Sequence, residues 1–358
     1  MNRRILFCAA ASLAVSALAH AAPDTAWNFQ VYAHDPVRAS GITQLPLPAL
    51  STFNGLKPSE VSGKHHMCLL LPQTQDTVFM AYIYAAIDEA RRLGQAMTVF
   101  DAGGYANNGA QHSQFENCLT LGVQAILLEP INPSGWEAEL AEAKAQGVKV
   151  INVTEALDAP ADGRTLVDYR LNGRLAGQFI ARQNPGAKVL VLPGTAGIPF
   201  VEDTIAGFRD GIQGAQVKIV NVMYGDLDAT AQLKLVEDAL VANPNIDYIF
   251  GNAVAIKQAV NVLAQRGMSD RIKLVSSYVD PDVLAQIKAG SIEAAAAESS
   301  VMLKRIAVDL AIRSIEGKGQ PQDLVPEVQL VTRETANTAG ISSANFPPPG
   351  WKATFKTE

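Results

Sequence analysis

Phe79, Tyr105, Tyr169 and Tyr278 fall at the tips of short apolar runs or at the starts of helical patterns, with Asp76 and Glu129 interleaved among them. Aromatic faces attract cations through the ring quadrupole, at about 0.5–2 kcal/mol per contact. A trimethylated nitrogen has no hydrogen to donate, so rings and a nearby carboxylate are the means left to recognise it. Any one of these rings, taken singly, has the ordinary job of stapling its own loop. Jointly, and drawn from both halves of the chain, they predict the lining of a cleft.

Catalytic signatures are missing where such loops would carry them. His34 and His65-His66 precede the first strand of the alternating pattern and His112 lies within a helical pattern, so none follows a strand. No Ser/His/acid order and no zinc spacing can be assembled from them. There is no G-x-S-x-G elbow, Walker A motif or G-x-G-x-x-G turn, and Gly103-Gly104 and Gly194-Thr195-Ala196-Gly197 read as loop glycines. The expectation is a binding protein without enzymatic activity, cofactor or metal.

The elements that must position the rings follow a regular rhythm. Apolar runs at 67–71, 96–100, 125–128 and 148–153 alternate with helical patterns at about 78–93, 107–121 and 134–146. The rhythm resumes with runs at 188–192, 217–220, 248–250 and 272–275. Continuous apolar strands with helical crossovers mean parallel sheets covered on both faces, an α/β class with ligand loops at the carboxyl ends of the strands. A chain of 358 residues, 48% hydrophobic, exceeds the usual size of a single core. Two doubly wound parallel-sheet lobes with a cleft between them are therefore expected. The acidic, Ala/Pro/Gly-containing stretch from Glu155 to Gly163 reads as the crossing. The predicted division is 67–157 plus 299–320 for lobe 1, 158–298 plus 321–340 for lobe 2, an N-terminal extension at 22–66 and a C-terminal tail at 341–358.

Lys plus Arg number 29 against 35 Asp plus Glu, a net charge of −6, with no basic stripe, which argues against nucleic acid as a partner. Asn2-Arg3-Arg4, an apolar run from Ile5 to Ala19 and the small-x-small Ala19-His20-Ala21 read as a signal peptide at 1–21. That run is shorter than the ~20 residues a bilayer span needs, so the mature protein is expected in the periplasm and not embedded in the membrane. In that compartment Cys68, at the start of a strand, and Cys118, at the end of a helix, lie at the same sheet edge. A disulfide between them is geometrically reasonable, and a pair of buried free thiols is the alternative.

Cys68-Leu69-Leu70-Leu71-Pro72, Glu89-Ala90-Arg91-Arg92-Leu93-Gly94, Ala102-Gly103-Gly104-Tyr105 and the segment from Gly122 to Leu128 resemble the TorT proteins, relatives of the type I sugar-binding periplasmic proteins. Gly207-Phe208-Arg209, Ser276-Ser277-Tyr278 and Pro349-Gly350-Trp351 extend the resemblance from about Cys68 to the C-terminus. It implies a type I periplasmic binding fold, a small-molecule ligand of the trimethylamine N-oxide kind held between lobes, and a histidine kinase's periplasmic sensor domain as partner in two-component signalling. The family's ligand-lining aromatics carry over onto Phe79, Tyr105, Tyr169 and Tyr278. It has tryptophan where this chain has Phe79 and Tyr169, and smaller rings attract cations less strongly. The expected mechanism places the rings against methyl groups, Asp76 near the positive nitrogen, and a Tyr105 or Tyr278 hydroxyl on the oxygen. The alternative is the solute-binding component of an ABC sugar importer with a permease as partner, drawing on Asp101, Glu129, Asn132, Arg170, Asn252 and Asp280.

Overall fold

The computed structural model describes residues 24–34, 48–319 and 323–357. The expected signal peptide at 1–21 lies outside them. Two strands, β1 (Asn28–His34) and β2 (Leu50–Asn54), precede the alternating run of β3 (His66–Leu71), α1 (Val78–Arg92), β4 (Ala96–Asp101), α2 (Asn108–Thr120), β5 (Ala125–Leu128), α3 (Glu137–Ala145), β6 (Lys149–Thr154) and β7 (Gly163–Leu166). The second run is α4 (Tyr169–Gln183), β8 (Lys188–Leu192), α5 (Pro199–Gly211), β9 (Lys218–Val222), α6 (Ala229–Ala242), β10 (Tyr248–Gly251), α7 (Ala253–Gln265), β11 (Lys273–Ser276), α8 (Pro281–Ala289) and β12 (Ala294–Ala297). The chain closes with α9 (Ser300–Ile315), β13 (Asp323–Pro326), β14 (Gln329–Thr332) and α10 (Ile341–Asn345).

Among the described residues these strands form an eight-stranded sheet, β2-β1-β13-β7-β6-β5-β3-β4, and a six-stranded sheet, β14-β12-β11-β10-β8-β9. All pairs are parallel except β1 with β2, β1 with β13, and β12 with β14. The expected pair of doubly wound sheets is what forms. Met67–Leu71 and Ala125–Leu128 are buried throughout, as strands covered on both faces must be. Four of the helices that follow strands or crossings start on an acidic or amide side chain: Asp168, Asp228, Asn252 and Asp280 accept from the backbone N–H of Leu171, Ala231, Ala255 and Val283.

In both sheets the strand order reverses beside the first strand of its βα run, between β3 and β5 and between β8 and β10. Ligands of such sheets bind outside the carboxyl ends of the strands at that reversal.

The lobe limits differ from expectation in three places. The stretch 155–163 is no crossing: it turns back into β7, which pairs with β6 in the first sheet. Arg164 and Thr165, polar yet buried, hide this strand from a hydrophobic pattern. The chain passes to the second sheet after Leu166, returns after β12, and makes its third passage between β13 and β14. β13 thus belongs to the first sheet although 321–340 was assigned to the second lobe. The extension at 22–66 is not merely a preamble, because β1 and β2 complete the edge of the first sheet. At the opposite edge the C-terminal tail runs beside β4, with Val99 N–H donating to Phe355 O at 2.7 Å and Thr357 N–H to Met97 O at 2.9 Å. Cys68 and Cys118 are joined in a disulfide with Cα atoms 6.3 Å apart. No described helix is long and apolar enough to cross a membrane.

Candidate ligand-binding site

The loop after β3 is ordered by Gln73, whose Oε1 accepts from the backbone N–H of Gln75 and Asp76 at 2.5 and 3.1 Å. Asp76 Oδ1 in turn accepts from Val78 N–H at 3.3 Å, fixing the start of α1. One face of α1 then carries Phe79 and, one turn on, Tyr82, packed edge to face with ring centroids 5.4 Å apart. After β4, Gly103 and Gly104 take positive φ, which lets the chain turn sharply enough to bring Tyr105 over the sheet end. Tyr169 is the first residue of α4, and Phe200 follows Pro199 at the start of α5.

Phe200, from the second lobe, meets both Tyr105 and Tyr169, at centroid distances of 6.1 and 5.4 Å. Together with Tyr278 the rings enclose a cavity of about 40 Å³, whose polar lining includes Asp76, Glu129, Asn172 and Glu298. All six residues singled out from the sequence line this one cavity. A wider cavity of about 770 Å³ opens outside it between the loops of the two sheets, sharing Gln73, Tyr105 and Leu227 with the inner one.

The hydrogen bonds correct one expected role. Tyr278 does not present a free hydroxyl to a ligand, because it donates to Asp76 Oδ2 across the cleft. Beside it Thr77 Oγ1 donates to Asp280 Oδ2 at 2.7 Å, and Lys257 pairs with the same carboxylate. These bonds tie the β3–α1 loop to the β11–α8 loop, so they form only when the lobes are together. Tyr278→Phe is expected to cost the closed arrangement about 2 kcal/mol, the worth of a hydrogen bond to a charged group. Small-angle scattering of the unliganded variant would then give a larger radius of gyration than wild type, and an unchanged radius would refute the latch.

Deeper in the cleft, Lys304 pairs with Glu129 Oε2 at 2.7 Å, both side chains buried, and Thr154 Oγ1 donates to the same oxygen at 2.8 Å. The Lys304 ammonium also lies over the Tyr82 ring, 4.2 Å from its centroid. Tyr82 donates to Glu298 Oε1 at 3.0 Å. Thr154 and Ser299, each next to a cleft carboxylate, hold left-handed backbone with φ of 65° and 59°. Strain of this kind persists only where surrounding bonds over-determine it. Ser299 shows how: its N–H donates to Asn345 Oδ1 and its hydroxyl to Glu327 O, both at 2.8 Å, which pins two interlobe passages together.

The electrostatics are those of a buried acidic site. Burial pushes Glu298 up to about 7, against its hydrogen bonds from Tyr82 and Asn172. Burial likewise raises Asp76, opposed by the Tyr278 bond, and carries Glu155 well above the carboxylate range, with Glu129's charge adding to it. The phenols of Tyr105, Tyr169 and Tyr278 are raised well above their usual value by burial and then by nearby carboxylates. Burial lowers Lys304, opposed by Glu129. An arrangement of this sign favours a cation or the positive end of a dipole.

Sequence reading missed Tyr82, Phe200, Asn172 and Glu298. Tyr82 had a signal, its i+3 spacing from Phe79 on one helix face. Of the residues put forward for a sugar, only Glu129 lines the inner cavity. Asp101 accepts from Thr74 and from Gly103 N–H, Arg170 pairs with Asp210 at 2.6 Å, Asn252 and Asp280 cap helices, and Asn132 lies in the outer cavity.

Comparison with known proteins finds relatives over most of the chain. A family model described as a periplasmic binding protein domain matches residues 67–319. The periplasmic protein TorT of Escherichia coli K12 is 27% identical over 299 residues, covering 83% of this chain and 86% of TorT. The structure of an ABC transporter solute binding protein from Bradyrhizobium sp. BTAi1 with bound bis-tris superposes with a TM-score of 0.79 at 31% identity, covering 91% of this chain and 98% of that one. A complex of the TorS sensor domain with TorT in the presence of TMAO gives 0.74 at 25% identity, covering 82% of this chain and all of its counterpart.

Proposed function

We propose a function from one premise: the chain belongs to the periplasmic binding protein family, as a TorT-like type I member. Its relatives are binding and sensor proteins, and a solute-binding role follows from the family. The ligand we assign is a small methylated amine oxide, trimethylamine N-oxide or a close analogue. The observation that carries this is the cavity itself: rings from both lobes, with Asp76 and Glu298 among them, around a small space.

Size supports that choice over a sugar. About 40 Å³ is room for roughly three water molecules at about 10–15 Å³ each. Trimethylamine N-oxide has half as many non-hydrogen atoms as a pentose. Of the polar groups put forward for a pentose, Arg170, Asn252 and Asp280 are committed to an ion pair or to helix caps elsewhere. In the proposed pose the methyl groups lie on Phe79, Tyr169 and Phe200, the nitrogen faces Asp76, and Tyr105 donates to the oxygen. The Tyr105 hydroxyl has no hydrogen-bond partner among the described residues, which leaves it open for this.

Ligand bridging the rings of the two lobes favours the closed arrangement, and a sensor histidine kinase in the periplasm reads the shift. The TorS–TorT complexes support this partner. The second reading is a solute-binding component feeding an ABC permease, favoured by the likeness to the Bradyrhizobium transporter protein and its bound tertiary amine.

Isothermal titration with trimethylamine N-oxide tests the ligand. Saturable heat is expected at millimolar ligand or below, with thermal stabilisation of about 2.7 kcal/mol at a hundred times Kd. Absence of both would overturn the assignment.

A further inference from the structure

We propose that Glu298 and Asn172 together select the charge of the ligand, ionised Glu298 admitting a permanent methylated cation and protonated Glu298 turning the Asn172 amide to serve a neutral amine oxide. The inference rests on the reading of the cavity as a site for methylated nitrogen compounds.

Glu298 stands on the passage from β12 to α9, is 3% exposed, and lines the cavity. Of the three carboxylates that line it, Glu129 is neutralised by Lys304 and Asp76 is held by the Tyr278 hydroxyl beside Lys257. Glu298 has neutral donors only: Tyr82 and Ser300 on Oε1, at 3.0 and 3.4 Å, and Asn172 Nδ2 on Oε2 at 3.3 Å. An ionised Glu298 therefore leaves an uncompensated negative charge at the cavity wall, which a quaternary ammonium between the rings would balance.

Asn172 supplies the second state. It is 1% exposed and lines the cavity, and its Oδ1 is buried without a hydrogen-bond partner among the described residues. A buried acceptor left unused is costly. When Glu298 is a carboxylic acid its proton needs an acceptor, and the amide oxygen is a better one than the neighbouring hydroxyls. A half-turn of the amide brings Oδ1 to that proton and leaves Nδ2 where the unpaired oxygen was. The cavity wall then offers an N–H in place of a carbonyl, suited to the oxygen of an amine oxide and unsuited to a cation.

The other ionisable groups around Glu298 are Tyr82 on α1, Tyr105 after β4, Glu129 after β5, Glu155 after β6, Tyr169 on α4, Tyr278 after β11, and Lys304 on α9. The phenols stay neutral throughout the working range, since burial raises them. Glu155 is raised as well but is not part of the lining, and Glu298 itself is pushed up to about 7 by burial, with Glu129's charge adding to it. Cation binding favours loss of the Glu298 proton, so affinity for a cation rises with pH, up to about tenfold per unit below 7, and levels off above. Affinity for an amine oxide runs the other way.

Titrations of the full mature chain with tetramethylammonium and with trimethylamine N-oxide, from about pH 5.5 to 8.5, test this. Tetramethylammonium should gain at least about tenfold in affinity across that range while the N-oxide loses affinity. Glu298→Gln, whose amide can donate to Asn172 Oδ1 at every pH, should flatten both profiles and weaken the cation. Parallel profiles for the two probes in wild type, or a wild-type profile in the variant, would overturn the selector while leaving the cavity's assignment intact. The wild-type comparison decides the matter even if the variant folds poorly. If neither probe binds at any pH, the reading of the cavity falls and the selector with it.

Discussion

Gly207→Ala is expected to lower stability by about 3 kcal/mol, the upper end of the usual overpacking range, and to weaken ligand binding at least tenfold. The reason is the contact between α4 and α5. A Cβ built on Gly207 lies 1.8 Å from the carbonyl oxygen of Arg170, and one on Gly173 lies 2.0 Å from that of Thr204. Gly177 and Gly211 make the same approach one turn further on, at 2.6 Å to Phe208 O and 2.3 Å to Arg174 O. The two helices thus touch backbone to backbone, and a methyl group would force them apart by more than an ångström. These helices carry Tyr169 and Asn172 on one side and Phe200 and Thr204 on the other, all lining the cavity. Separation would spread the Tyr169–Phe200 pair and open the wall between them. Gly109 in α2 has nothing within 4 Å of its Cβ position, so Gly109→Ala should be neutral or stabilise by up to about 1 kcal/mol. Denaturant unfolding and ligand titration of both variants check the contrast; wild-type stability in Gly207→Ala would refute the close-packing account.

The pairing of Gly173 with Gly177 and of Gly207 with Gly211 shows what kind of information was open to sequence reading and what kind was not. The four-residue spacing is visible, but only the structure says that the two pairs face each other. The same division runs through the fold. β3 and β5 are legible because strands buried on both faces are continuous apolar runs, whereas β7 conceals Arg164 and β12 is four alanines that read equally well as helix. The strands β1 and β2 pair antiparallel at an edge, β2 largely exposed and β1 mostly half-buried, so they lack the contrast that marks a buried strand. At the site, Phe79, Tyr105, Tyr169 and Tyr278 stood out because each sits at a strand tip or the start of a helix, where doubly wound sheets put their ligand loops. Phe200 offers the same signal as Phe79, the second residue of a helix after a six-residue loop, whereas Glu298 follows an alanine run that gave no strand end to count from. The role of Tyr278 was misjudged for a different reason: its partner Asp76 is 202 residues away, and no local pattern encodes that meeting.

Lys304→Met should destabilise the protein by about 3–5 kcal/mol, the cost of leaving one member of a buried ion pair without the other. Lys304 and Glu129 are buried, and removing the ammonium strands the carboxylate beside Thr154 and Glu298. Glu129→Gln combined with Lys304→Met should recover most of the loss, because both charges leave together. A double variant as unstable as the single would mean that Lys304 acts through packing against Tyr82 and not through its charge. The pair also bears on the ligand. The Lys304 ammonium already rests on the face of Tyr82, in the position a methylated nitrogen is proposed to take on the neighbouring rings. The fold therefore neutralises Glu129 with its own cation and, in the proposed reading, leaves Glu298 for the solute. If the double variant binds a quaternary ammonium with wild-type affinity, the Glu129 charge is internal to the fold; a loss of more than about tenfold would make it part of the ligand's field.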